Sequence, residues 1–181
     1  MHGEKYFKDE DVEIVCDDFK HFVDTHPEVN MIVSPANSFG LMDGGYDAAI
    51  TEYFGEELQE EVQRKIRSCW HGDQPVGTCL PVKIPFFEGK FLLHTPTMRT
   101  PSAIADHSII YTCMRTAILT ASDISKSLED SIVIPAFGAA TGKVPYETVA
   151  RMMWIGYAQV TGGLPPEINW GYAHWIARIL K

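Results

Sequence analysis

The chain has 181 residues, 45% of them hydrophobic, and a formal net charge of −9 at pH 7. That size and composition fit one globular domain and exclude a disordered chain. The acidic balance, with Arg64-Lys65-x-Arg67 as the densest basic run, argues against a general nucleic-acid binder. No stretch nears the roughly 18 consecutive apolar residues of a membrane span, and the charged start, Met1 to Asp11, lacks the apolar core of a signal peptide. Cys16, Cys69, Cys79 and Cys113 include no C-x-x-C pair. An intracellular protein, cytoplasmic or nuclear, with reduced cysteines is expected. Residues 1–181 are expected to form a single domain, with a core over about 12–160 and a C-terminal segment over 161–181.

In chain order, Glu13-Ile14-Val15-Cys16 is expected to be a first strand that ends at the acidic pair Asp17-Asp18. Phe19 to Thr25 reads as a short helix stopped before Pro27, and the apolar run Met31-Ile32-Val33 as a buried strand. Small and turn-forming residues follow, and Gly44-Gly45 leads into a helical pattern with Asp47 at its start. That order leaves backbone N–H groups free to bind an anion, and glycine lets a phosphate approach the main chain with no Cβ in the way. Asn37 supplies an amide and Asp47 a carboxylate, so an oxyanion cradle and a base are encoded close together.

Residues 47–69 read as one long helix, because Ile50, Phe54, Leu58, Val62 and Ile66 recur every four residues. Its glutamates come early and Arg64, Lys65 and Arg67 late, the polarity that suits the helix dipole and a solvated face. Leu80 to Ile84 and Phe91 to His94 are expected strands, joined through Pro85 and a turn at Glu88-Gly89. Asp106 to Ala121 is helical by pattern, and Ser131 to Pro135 reads as another buried strand. A second small-residue loop follows, Ala136-Phe137-Gly138-Ala139-Ala140-Thr141-Gly142-Lys143, and Pro145 opens the helix Tyr146 to Val160. The breaker over 161–166 precedes a tail rich in tryptophan and tyrosine. Neither loop is a Walker A sequence or a dinucleotide fingerprint. Together they can grip two ends of one phosphate-bearing ligand. The alternation of strands and helices gives an α/β layered fold, whose ligands sit beyond the carboxyl ends of the strands.

Taken in order, these segments resemble the macro domain family, which binds ADP-ribose. The resemblance rests on Cys16-Asp17-Asp18-Phe19, on Val33-Ser34-Pro35-Ala36-Asn37-Ser38, and on Asp43-Gly44-Gly45-Tyr46-Asp47-Ala48-Ala49-Ile50. Leu93-His94-Thr95-Pro96 and the loop from Pro135 through Pro145, anchored by Thr141-Gly142, complete it. It implies a three-layer α/β/α fold with a central mixed sheet of about six strands. It also implies adenine near Asp17 and Asp18, and a first loop of Ala36, Asn37, Gly44, Gly45 and Tyr46 around the proximal phosphate and distal ribose. The second loop, Gly138, Ala139, Ala140, Thr141, Gly142, Lys143 and Val144, would contact the ligand, with Ala140 to Val144 around the pyrophosphate. In hydrolytic relatives an Asn orients the distal ribose and an Asp activates water, and those positions are Asn37 and Asp47 here.

Departures from the family pattern mark a divergent branch. Ser34-Pro35 replaces Asn-Ala, which removes an amide and stiffens the loop. Asp43 replaces a glycine, Val144 stands where many relatives have an aromatic, and adenine stacking has no assigned residue, with Trp170 the only aromatic offered. Cys69, His71 and Cys79 are zinc-ligand types at a spacing that matches no standard site, so no metal and no cofactor are expected. The expected partner is ADP-ribose or an ADP-ribosylated protein, and the expected activity is hydrolysis of an ADP-ribosyl linkage. Two alternatives stand beside it: a non-catalytic reader of ADP-ribosylated partners, and processing of ADP-ribose phosphate or O-acyl-ADP-ribose. Asp47 has a bland reading too, as a helix N-terminal carboxylate worth roughly 0.3–1 kcal/mol.

Overall fold

The computed structural model describes residues 3–125, 127 and 130–181. A short 3₁₀ turn at Gly3–Lys5 precedes α1 (Phe19–Thr25), β1 (Met31–Ser34), α2 (Gly45–Phe54), α3 (Glu57–Trp70), β2 (Leu80–Lys83) and β3 (Phe91–His94). Then come α4 (Ser108–Ile124), β4 (Ile132–Val133), α5 (Tyr146–Thr161) and α6 (Trp170–Ile179). The sheet order is β2-β3-β1-β4. β1 pairs in parallel with both β3 and β4, and β2 runs antiparallel to β3. The sheet is therefore mixed, as the resemblance implies, but among the described residues it has four strands rather than six.

Alternation along the strands sorts the core into two halves. Met31 and Val33 of β1 and Leu93 of β3 pack with α4 and α5, including Ile110, Cys113, Ala117, Met152 and Ile155. Ile32 and Leu92 point the other way, onto Phe19, Ile50, Phe54, Leu58, Val62 and Ile66 of α1 to α3. Because neighbouring side chains on a strand face opposite sides, one sheet serves two helical layers, and all four residues of β1 are buried. Close approach of α4 and α5 depends on Gly156, where a Cβ would lie 2.8 Å from the Tyr111 carbonyl oxygen.

Three expectations change. Residues 13–16 form no strand. Their β-branched sequence suits extension, but a strand exists only where a partner accepts its hydrogen bonds, and the described chain offers none. The helix expected over 47–69 is two helices. Gly55, at φ 98°, ends α2, and α3 begins at Glu57. The four-residue apolar spacing runs through the break, so both helices still face the same core. Finally, α4 continues to Ile124, beyond Ala121.

Candidate functional site

β1 and β4 lie side by side and run in the same direction, so the loops that follow them leave the same end of the sheet. The first loop begins as a continuation of β1. Ala36 N–H donates to the Thr95 carbonyl at 3.2 Å, and Thr97 N–H donates to the Ala36 carbonyl at 3.0 Å. A bridge between Asn37 and Met98 extends this pairing. Ala36 is buried, and its backbone is already committed.

Asn37 folds back on its own loop. Its Nδ2 donates to the Leu41 carbonyl at 2.7 Å, and its Oδ1 accepts from the N–H groups of Phe39, at 3.1 Å, and Leu41, at 3.4 Å. The amide that the resemblance assigns to a ribose is thus also the staple of the 37–41 turn. Gln74 fixes this turn from below. It is fully buried, its N–H donates to the Ser38 carbonyl, and its Nε2 donates to the His94 carbonyl at 3.1 Å. Its Oε1 lies 2.7 Å from His94 Nδ1. Burial pushes the His94 pKa down to about 3, which makes that residue a neutral core histidine.

α2 starts where the first loop ends. Gly44 is its N-cap, and Gly45 has φ 58° with open space around the position a Cβ would take. Asp43 is exposed ahead of it, and Tyr46 is half-buried edge-on against Phe19, with ring centroids 5.2 Å apart. Asp47 falls in the first turn and is only 7% exposed. Its Oδ1 accepts a 2.7 Å hydrogen bond from Ser34 Oγ. Burial pushes its pKa up to about 6, against the opposing pull of that bond. Ser34, at the end of β1, therefore replaces the lost amide with a hydroxyl aimed at the carboxylate. Sequence reasoning missed this contact, because it counted only what Ser34 removes.

The second loop closes on itself. Val144 N–H donates to the Gly138 carbonyl and Lys143 N–H to the Ala140 carbonyl, both at 3.1 Å. The Gly142 carbonyl accepts from Ile104 N–H at 2.9 Å. A Cβ at Gly142 would stand 2.6 Å from the Gly138 carbonyl oxygen, and Gly138 itself has φ 71°. Lys143 adopts φ 54° without being glycine, in the left-handed region that costs an ordinary residue roughly 1–2 kcal/mol. Ala140, Thr141 and Lys143 are exposed on this loop and Ala139 is half-buried, whereas Val144 is buried in the core beside α4 and α5. The Val144 side chain is thus a packing group of the core.

Asp17 and Asp18 part company. Asp18 is the N-cap of α1 and accepts from the N–H groups of Lys20 and His21. Asp17 pairs with His21 Nδ1 at 2.6 Å, which holds its carboxyl below the usual range. Asp17 also lines a cleft of about 480 Å³ together with Phe19, Tyr46 and Ala136, so one residue from the edge of each loop reaches it, whereas Asn37, Gly44, Gly45, Asp47 and residues 138–144 are not among its walls. Trp170, 79% exposed in α6 and tilted against His174, is not among its walls.

A family model described as Macro domain matches residues 33–153. An uncharacterized protein of Aquifex aeolicus is 32% identical over 129 residues, covering 71% of this chain and 73% of that one. Another, from Aeropyrum pernix, is 28% identical over 144 residues, covering 80% and 71%. Among solved structures, the Oceanobacillus iheyensis macrodomain with MES bound superposes with a TM-score of 0.61 at 23% identity, over 74% of this chain and 70% of that one. A variant of that macrodomain was solved with ADPR and gives a TM-score of 0.59 at 22% identity, over 71% and 69%. The macrodomain of Mycobacterium tuberculosis DarG gives 0.61 at 17% identity, over 74% and 84%. The chain belongs to the macro domain family, a family that binds ADP-ribose.

Proposed function

We propose that this protein binds ADP-ribose and hydrolyses an ADP-ribosyl linkage, with Asp47 as the base that activates water. One observation carries this reading: a buried carboxylate sits in the first turn of α2, directly behind Gly44 and Gly45, with its pKa pushed up to about 6. A general base works best when its pKa lies near the operating pH. In the proposed step, a water oxygen attacks the anomeric carbon of the distal ribose, and Asp47 takes the water's proton. The bond to the leaving group breaks with its electron pair, and the leaving group picks up a proton from solvent. The ionised carboxylate also stabilises positive charge developing on the sugar. Ser34 holds Asp47 through Oδ1. Backbone N–H groups at the start of α2 and in the second loop face the pyrophosphate, where glycine permits close approach.

A second reading is favoured by the burial itself. A carboxylate 7% exposed and hydrogen-bonded to Ser34 can serve as an anchor between β1 and α2, leaving a reader of ADP-ribosylated proteins with no chemistry. Calorimetric titration with ADP-ribose, AMP and NAD, followed by turnover assays on ADP-ribosylated protein, separates the two. Saturable binding that prefers ADP-ribose is expected, with turnover lost and binding kept in Asp47→Asn. Unchanged turnover in that variant removes Asp47 from the mechanism, and no binding at millimolar ligand withdraws the whole reading.

A further inference from the structure

The cleft that Asp17, Tyr46 and Ala136 line has two unlike walls. Along one wall every residue from Ser131 to Ala136 contributes. Consecutive lining means that a main-chain edge, rather than one face of a strand, borders the space. That edge is the outer side of β4, which pairs with β1 on its inner side and with no other strand among the described residues. Met31 N–H donates to the Ser131 carbonyl, so by the alternation of a parallel ladder Ser131 and Val133 serve β1, while the backbone groups of Ile132 and Ile134 face the groove. Ser131 Oγ is shut from solvent and has no hydrogen-bond partner among the described residues.

On the opposite wall the lining residues alternate: Asp11, Glu13, Val15 and Asp17. Glu13, Val15 and Asp17 are alternate residues of a run without regular secondary structure, Asp11 lies in the turn just before it, and among the described residues none of them pairs with β4. Glu28 adds a further carboxylate and His26 an imidazole, and among the described residues no Lys or Arg lines the groove. An open strand edge of this kind is a template for another chain, which proteins normally pair, cover or blunt. Here the facing wall supplies charge but no backbone partner.

We propose that this groove takes an extended peptide of a partner protein, with Lys or Arg alternating with β-branched residues, as a strand added to the outer edge of β4. Main-chain hydrogen bonds to Ile132 and Ile134 give the peptide its register, and alternate basic side chains meet Asp11, Glu13 and Glu28. Pro135 has no N–H and ends the pairing, so about four residues of peptide, roughly 13 Å, are held. A phosphate-rich ligand is disfavoured at this end by the same carboxylates. The inference is argued from the sheet edge and the carboxylates facing it rather than from the ADP-ribose reading, although both use the cleft that Asp17, Tyr46 and Ala136 line.

The test uses the whole protein and a fluorescein-labelled synthetic peptide alternating Lys and Val, read by anisotropy. Saturable binding is expected, with no binding of the peptide that carries Glu for Lys. The double variant Asp11→Lys with Glu13→Lys, checked for folding by circular dichroism, is expected to bind at least roughly tenfold more weakly. A peptide N-methylated along one edge is expected to lose binding as well, and bound peptide to slow hydrogen exchange at Ile132 and Ile134. Absence of saturable binding, or methylated peptide binding as tightly as the parent, overturns the proposal. ADP-ribose titrated separately reports on the nucleotide site, so either idea can fail without the other.

Discussion

Replacing Asp47 with Asn should make the protein more stable at neutral pH while abolishing the proposed chemistry. Burial raises the carboxyl from its ordinary 3.8 to about 6 in the folded chain. A raised folded value means that the native state holds a proton that the unfolded state releases between those two pH values. The stabilisation from protonated Asp47 is therefore fully present below about pH 4 and is lost as pH rises through about 6. At roughly 1.4 kcal/mol per pH unit, the charged form costs about 3 kcal/mol once pH exceeds 7. Asn is never charged and keeps an oxygen to accept from Ser34 Oγ. Asp47→Asn is accordingly expected to melt about 6–12 °C above the parent at pH 7.5, with the gap shrinking to near zero at pH 4. Differential scanning calorimetry of both proteins across that range measures it. A gap that does not change with pH, or an Asn variant less stable than the parent at pH 7.5, refutes the reasoning.

Other perturbations address the supports of the site. Ser34→Ala removes a bond that pulls the Asp47 pKa down, so the acid limb of any pH–rate profile should move to higher pH, and an unmoved limb removes Ser34 from the positioning of Asp47. Gly142→Ala forces a Cβ to within 2.6 Å of the Gly138 carbonyl oxygen. Opening the second loop in this way should weaken ADP-ribose binding by at least roughly tenfold and cost about 1–3 kcal/mol in urea unfolding. Asn37→Ala deletes three hydrogen bonds within the 37–41 turn. Amide exchange at Phe39 and Leu41 should accelerate while global stability falls by only about 1–2 kcal/mol, and unchanged exchange would show that the staple is dispensable.

The layered α/β fold was legible because its strongest signals are local. The apolar runs over 31–33, 80–84 and 91–94 all lie in or around strands, and both small-residue loops follow strands of the same sheet. What escaped depends on contacts between distant residues. Glu13 to Cys16 has strand-forming composition, yet pairing needs a neighbour that composition cannot supply. Gly55 was visible as a glycine, but Ile50, Phe54, Leu58, Val62 and Ile66 are all buried on either side of it, so the apolar repeat masked the bend. Ser34 reaches Asp47 across thirteen residues, and Val144 turns into the core because Gly138 and Gly142 coil the loop beneath it. Asp17 lines the cleft and Asp18 caps α1, a division that neighbouring identical residues could not reveal.

The division of the expected long helix at Gly55 gives the carboxylate a lever arm. α2 is ten residues long and is gripped at its far end, where Phe54 stands edge-on to Phe87 with ring centroids 4.8 Å apart and close to Phe19 and Tyr53. Phe54 and Asp47 are separated by about 10 Å of helix axis. Pivoting at that aromatic grip by about 5° would swing the carboxylate by nearly 1 Å, a misplacement large enough to slow a reaction roughly a hundredfold. In the proposed mechanism the aim of Asp47 is thus set as much by how four rings settle against one another near the tip of the β2–β3 hairpin as by anything beside the ligand.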